Sequence, residues 1–290
     1  MIVDGTGIAQ KIEREVMAAL QARNEVPRLQ VFTCEPTFAT TRFLALKKAS
    51  AEKLGVTLEV HKCAPESTTE EVVEAIKKSV TEADGIIVQL PFPSRIDVSA
   101  ILAAIPARHD VDAIGSEAEQ LFSEGKSLVL PPVVGAMAEI IARYDIKIAN
   151  KKVVVVGEGR LVGAPATAWF RQMGARVQTL NKETECLARV AREADILVLG
   201  AGVPGLITPD MIRDGVVIFD AGSSEDTGKL VGDADPLCAK KASLFTPVPG
   251  GIGPITISLI FRNLLALIEQ QGECSNISRC MKILKLADIT

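Results

Sequence analysis

Phe43 and Lys47 stand four residues apart in a stretch, Phe38 to Leu54, that reads as a helix, so both side chains project from one helix face. An aromatic ring beside an amine can stack on a flat heterocycle while the amine moves a proton. On an arbitrary helix the same pair is an apolar contact beside a solvated lysine. Gln89 closes the apolar run Gly85 to Leu90, in VQLPFP at 88–93. The C-terminal ends of such strands are where ligands of open α/β sheets gather. Its amide oxygen can accept a hydrogen bond from a lysine amine, or simply cap the strand. Asp110 and Asp112, in DVDAIG at 110–115, offer two carboxylates. One of them can read an aminopyrimidine edge by accepting two N–H bonds; the alternative is a charged, solvated loop.

A second constellation begins at Lys152. Four valines run straight into GEGRLVGAP at 157–165, with glycines at Gly157, Gly159 and Gly163. A glycine turn between a buried strand and a helix brings backbone N–H groups against a phosphate, and the helix N-terminus adds a favourable field. The spacing is one residue longer than the usual dinucleotide turn, and a tight strand-to-helix turn alone explains it equally well. Glu158 and Arg160 sit between the glycines, where each can face a ligand or pair with the other.

The elements that must position these residues alternate along the chain. Gly7 to Ala22 carries Ile8, Ile12, Val16 and Leu20 at helical spacing. Strands are expected at 29–34, 56–61 and 85–90, with helices at 38–54, stopped by Gly55, and at 69–81. Residues 106–115 read as a charged loop, and 134–144 as a helix leading between domains. Beyond it come strands 152–156, 176–180, 196–199 and 216–220, with helices 164–173 and 183–192. A long apolar helix, 254–270, and a last helix, 277–286, complete the chain. Such alternation predicts parallel sheets covered by helices. The expected fold is α/β in two lobes: an N-terminal α/β domain with a parallel sheet and a C-terminal Rossmann-like, doubly wound domain, with a cleft between. The boundaries are 1–134 and 135–274, with 275–290 returning to pack on the first domain.

Bulk properties exclude several classes. The formal net charge of −4 opposes a general nucleic-acid or acidic-membrane surface. No stretch reaches about 18 uninterrupted apolar residues, the length of a membrane span, and with charges within MIVDGTGIAQKIEREV that stretch is not expected to be a signal peptide. The six cysteines lie scattered, with no CxxC pair. They are expected to be reduced thiols of a cytoplasmic protein, with no metal site and no disulfide framework.

Taken together, Phe43 with Lys47, VQLPFP, DVDAIG, GEGRLVGAP, LVGDAD at 230–235 and TPVPGGIGPIT at 246–256 resemble the bifunctional methylenetetrahydrofolate dehydrogenase/cyclohydrolases. The resemblance runs through nearly the whole chain in order. It implies oxidation of methylenetetrahydrofolate to methenyltetrahydrofolate with NAD(P), then hydrolysis to 10-formyltetrahydrofolate, in one-carbon metabolism and purine biosynthesis. It also implies a homodimer with tetrahydrofolate derivatives in the cleft. By position, Lys47 matches the lysine of the cyclohydrolase step, Gln89 the glutamine that orients it, and Asp112 the aspartate that grips the pterin. Phe43, Pro249, Gly250, Gly251 and Ile252 match folate-side positions; Gly157, Glu158, Gly159, Arg160 and Gly163 fall in the nucleotide loop.

The departures cluster near that cleft. Phe43 replaces the family's usual tyrosine, Ala113 and Ile114 replace a glycine and an aromatic, and Pro131-Pro132-Val133-Val134-Gly135 stands for ProCysThrPro before a glycine. They leave as rival readings a dehydrogenase-only enzyme or a weakly active, folate- or nucleotide-binding paralogue. For the coenzyme, the strand end Leu180-Asn181-Lys182 lacks the acid that would grip the NAD ribose, and Lys182 can pair a 2′-phosphate, which favours NADP. Glu158 opposes it, since a carboxylate there repels that phosphate or bonds the bare ribose of NAD.

Overall fold

The computed structural model describes residues 1–272, apart from Pro36 and Lys182. Helix α1 (Gly5–Gln21) buries Ile8, Ile12, Val16 and Leu20, and the Asp4 carboxylate accepts the Gly7 N–H at its start. Strand β1 (Arg28–Thr33) leads to α2 (Phe38–Leu54), capped by the Thr37 hydroxyl and ended by Gly55 at φ 71°. Strand β2 (Thr57–Lys62), α3 (Thr69–Ser79) and β3 (Gly85–Gln89) follow. The three strands form one parallel sheet in the order β2-β1-β3, as the alternation predicts.

Two short helices, α4 (Val98–Ala103) and α5 (Ser116–Ser123), were not legible in the sequence, because fewer than three turns carry too little periodicity. The charged loop expected at 106–115 is packed inward, which excludes the solvated reading: Asp110 is buried and bridges in parallel to Ile86 at the sheet. Helix α6 (Pro132–Tyr144) then crosses from one lobe to the other, so residue 134 lies within its first turn.

The second sheet contains β4 (Lys152–Val156), β5 (Arg176–Leu180), β6 (Ile196–Leu199), β7 (Val217–Asp220) and the two-residue β10 (Leu244–Phe245). All pair in parallel, in the order β10-β7-β6-β4-β5. The order reverses at β4, which is flanked by β5 and β6, and makes that strand's C-terminal end the topological switch point. Helix α7 (Gly163–Gln172) follows β4. Helix α8 (Leu187–Arg192) begins four residues later than expected, because Asn181 turns the chain by accepting the Glu183 N–H and the Thr184 hydroxyl. A small hairpin, β8 (Ser224–Asp226) and β9 (Lys229–Val231), projects beyond β7.

Helix α9 (Ile252–Gly272) is long and apolar enough to cross a membrane by length and composition. It packs instead in the protein's interior, burying Ile255, Leu259, Phe261, Leu264 and Leu267 mainly against α1 and α6. Thus α9 follows the last strand of the nucleotide-side sheet in sequence yet lies along the first helix of the chain. The segment 275–290, expected to return to the first domain, and the helix expected at 277–286 lie outside the described residues. The chain start also ties the lobes together, with the Val3 N–H donating to Phe245 O (2.9 Å) and the Gly5 N–H to Gly250 O (2.9 Å).

Asn263 on α9 donates from one amide nitrogen to Val111 O and Leu130 O, 2.9 Å each, and so anchors the 106–115 loop from behind. Asn263→Leu keeps the volume but strands two buried carbonyls, so stability should fall by about 2 kcal/mol. In urea unfolding the midpoint should drop with an unchanged slope; an unmoved midpoint would show that these bonds carry no net stability.

Candidate active site

The C-terminal ends of both sheets face one cleft of about 540 Å³. From the N-terminal side, α2 contributes Phe43 and Lys47, β3 contributes Gln89 at its last residue, and the buried loop contributes Asp112. Lys47 is 5% exposed, and its Nζ donates to Gln89 Oε1 at 2.7 Å. The Thr40 hydroxyl, one turn before Phe43, donates to Leu90 O (3.3 Å), tying α2 to the end of β3 a second time. Burial lowers the pKa of Lys47, and the Asp112 charge partly opposes that shift. Burial likewise raises Asp112, against the pull of Lys47. An amine whose pKa is lowered and which sits beside a hydrogen-bond acceptor is better suited to exchange a proton than a solvated lysine.

The two aspartates of the DVDAIG stretch separate in role. Asp112 lines the cleft. Asp110 faces inward, where one carboxylate oxygen accepts the Gly115 N–H (2.6 Å) and the other meets no partner among the described residues. Burial pushes Asp110 up to about 7. Asp110 therefore shapes the turn, with Ala113 at φ 52°, that presents Asp112.

Opposite stands the TPVPGGIGPIT segment. Pro249, Gly250 and Ile252 line the cleft, whereas Gly251 lies behind it. A Cβ at Gly251 would sit 2.6 Å from Pro247 O, and Gly250 takes φ 103°, so both glycines are required by backbone geometry. The ring of Phe43 lies against Gly253, where a Cβ would stand 3.6 Å from it. The Leu90–Pro91 and Val248–Pro249 peptides, on facing walls, are both cis.

The glycine turn sits at the switch point, beside this cleft. Gly157 takes φ 108°, and a Cβ there would lie 2.4 Å from Gly200 O; a Cβ on Gly163 would lie 2.0 Å from Gly157 O. These two glycines are explained by the fold. Gly159 is not: a Cβ there meets nothing within 4 Å. The turn thus keeps an open backbone surface at the start of α7, which fits a phosphate-bearing coenzyme. Arg160 pairs with Glu119 of α5 (3.0 Å), and Glu158 is exposed, so the two do not pair with each other. Lys182, the residue expected to favour NADP, lies outside the described residues.

Two buried aspartates in the cleft's framework were missed as functional positions, although LVGDAD contains one of them. Asp233 accepts the backbone N–H groups of Ala201 (2.6 Å), Gly202 (3.1 Å) and Val203 (2.9 Å). Asp220, at the end of β7 and lining the cleft, accepts those of Gly222 (2.9 Å), Asp233 (3.2 Å) and Ala234 (2.8 Å). Burial pushes Asp220 up to about 6 despite these donors. For Asp220 the sequence signal was an aspartate directly after the apolar run 216–219.

Comparison with known proteins agrees with this geometry. Residues 3–112 match the family described as tetrahydrofolate dehydrogenase/cyclohydrolase, catalytic domain, and residues 131–272 match its NAD(P)-binding domain. The bifunctional protein FolD of Nautilia profundicola is 35% identical over 270 residues, covering 90% of this chain and 95% of that protein. Among solved structures, the bifunctional FolD of Campylobacter jejuni superposes with TM-score 0.87 at 28% identity, over 93% of this chain and 99% of that one. The Trypanosoma brucei methylenetetrahydrofolate dehydrogenase-cyclohydrolase, solved with NADP and an inhibitor, gives TM-score 0.88 at 26% identity, over 94% and 98%.

Asp233→Ala leaves three backbone donors at the ends of β6 and its loop without their acceptor. The expected loss is about 3 kcal/mol of stability, at roughly 1 kcal/mol per hydrogen bond. Thermal unfolding measures it, and a variant as stable as wild type would show that water satisfies those donors.

Proposed function

The chain belongs to the tetrahydrofolate dehydrogenase/cyclohydrolase family, and from that premise we propose that Lys47, Gln89 and Asp112 perform its chemistry in the cleft between the lobes. The protein oxidises methylenetetrahydrofolate to methenyltetrahydrofolate with NAD(P) and hydrolyses the product to 10-formyltetrahydrofolate, in one-carbon metabolism. The observation that carries the assignment of residues is the 2.7 Å bond from Lys47 to Gln89 in the same cleft as Asp112.

The methylene carbon lies between two nitrogens. It can lose a hydride because both nitrogens stabilise the cation that remains. A nicotinamide coenzyme held at the glycine turn would supply the acceptor for that hydride. The step asks the protein for alignment of donor and acceptor. Asp112 accepts N–H bonds from the pterin edge, and Phe43 stacks on the folate; stacking needs a ring and not a hydroxyl. Pro249, Gly250 and Ile252 form the facing wall, with Gly251 holding that wall's backbone. Water then adds to the methenyl carbon, a proton leaves it, and the carbon–nitrogen bond to the pterin ring breaks as that nitrogen is protonated. Lys47, its pKa lowered by burial and its amine oriented by Gln89, relays those protons.

The turn of Gly157, Gly159 and Gly163 would hold the coenzyme's phosphates at the start of α7, with Glu158 nearby; the role of Lys182 toward a 2′-phosphate rests on the sequence alone. Arg160 supports the loop through Glu119. The N-terminal lobe, 1–134, serves folate and catalysis, and 135–274 the nucleotide. The reading includes a homodimer, a cytoplasmic setting, and no nucleic-acid or membrane partner. The scattered thiols and the acidic balance support the last two.

Replacing Lys47 by Met should leave dehydrogenase turnover measurable while slowing conversion of methenyl- to 10-formyltetrahydrofolate by about 10² to 10⁴. Absorbance at the methenyl band follows both steps at once. Hydrolysis as fast as wild type would remove the lysine from the mechanism.

The coenzyme preference has its own test. Glu158→Gln removes a negative charge beside the ribose, so the KM for NADP should fall about fivefold more than that for NAD, for roughly 1 kcal/mol of relieved repulsion. Equal changes for the two coenzymes would place Glu158 away from the 2′ position.

A further inference from the structure

Away from the cleft, the open ends of β1 and β2 bring two thiols together. The strands pair Phe32 with His61 and Thr33 with Lys62, and the Phe32 and His61 rings stack with centroids 4.8 Å apart. Same-face partners recur at every second residue of a strand, so the next such pair is Cys34 and Cys63. The ladder continues that far, since the Cys63 N–H donates to Thr33 O at 2.9 Å. Both thiols are free. Neighbouring strands lie about 4.8 Å apart, inside the roughly 4.4–6.8 Å Cα span that a disulfide bridges.

The surroundings differ on the two sides. Cys63 is half-buried and lines a separate cavity of about 460 Å³ together with His61 and Ser67. Cys34 is only 1% exposed, and the Arg95 guanidinium approaches its sulfur at 3.8 Å while also pairing with Glu35 (3.3 Å). Glu35 is held at φ 49°, and the cap of α2, Thr37, is two residues further on. The dithiol therefore sits at the root of the connection to the helix that carries Phe43 and Lys47.

We propose that Cys34 and Cys63 form a reversible disulfide when the protein meets a peroxide, and that this bond lowers turnover through α2. Cys63 is reached first, through its cavity. Its sulfur loses a proton and attacks the peroxide O–O bond, giving a sulfenic acid and one water. The Cys34 sulfur then loses its proton, forms the S–S bond and displaces hydroxide, which leaves as a second water. Two thiols lose two electrons and the peroxide gains them. Burial and the Cys34 neighbour push the Cys63 thiol up to about 11, so its thiolate is scarce at neutral pH and its reaction with peroxide is slow, which is why excess oxidant is needed. Forming the bond takes Cys34 from Arg95 and draws the chain ahead of α2 toward β2.

The test is peptide mapping of the full-length protein after excess hydrogen peroxide, without reductant, alongside both enzyme activities. The expected result is a linked Cys34–Cys63 peptide about 2 Da lighter than the two free peptides. It should be lost on adding dithiothreitol, and turnover should fall several-fold and recover with the reductant. Cys63→Ser should keep its turnover through the same treatment. Oxidised thiols without that linkage, or linkage of either residue to Cys186 or Cys238, would overturn the pair. A linked protein with unchanged turnover would overturn the connection through α2. Because the linkage is read by mass, it is decided independently of the roles given to Lys47, Gln89 and Asp112.

Discussion

A lysine amine taken almost wholly out of water needs a partner, and the arrangement of the N-terminal lobe follows from supplying one. Lys47 emerges from the middle of α2, and its hydrogen bond to Gln89 requires the end of β3 to lie directly beneath that helix. The parallel order β2-β1-β3 brings the end of β3 beside the end of β1, from which the chain runs into α2. The gain is chemical. Desolvation disfavours the ammonium form, and the amide oxygen of Gln89 fixes the amine without restoring a full counter-charge. Asp112 supplies part of that charge from the third side.

Around this pair the walls of the cleft are held by backbone more than by side-chain packing. Glycines at 157, 163 and 251 are placed where another residue's Cβ would strike a carbonyl oxygen. Buried Asp220 and Asp233 each gather three N–H groups from loops that follow the strands. A carboxylate accepting several backbone donors can fix an irregular loop as firmly as a short stretch of sheet, without needing a repeating register. This is how a site built from strand-end loops keeps a defined shape.

The lobes are joined by the chain's first residues and by α9 as well as by α6. Helix α9 lies along α1 and α6, and the first residues of the chain pair with β10. Glu139 on α6 joins Arg262 on α9 at 2.6 Å and Arg143 at 3.0 Å, and these cations hold its carboxyl below the usual range against the effect of burial. With Asn263 anchoring the Asp112 loop from α9, residues late in the sequence position a group contributed by the first lobe.

By itself the sequence determined the α/β alternation, the bounds of α2, β5 and β6 to the residue, and the family, because each rests on local pattern: helical spacing, unbroken apolar runs and ordered glycines and prolines. It also named the pair Lys47 and Gln89 as capable of a hydrogen bond, since both residue types and their elements were legible. Only the tertiary structure decided that the bond forms, that Asp110 is buried behind the turn that presents Asp112, and that Gly159 is free while Gly157 and Gly163 are obliged. It alone turned the loop 106–115 inward, shortened α8 through Asn181, and set Cys34 beside Cys63. The physical reason is the same in each case. Burial, backbone approach and strand register join residues far apart in the chain, and no local pattern records which distant partner a side chain will meet.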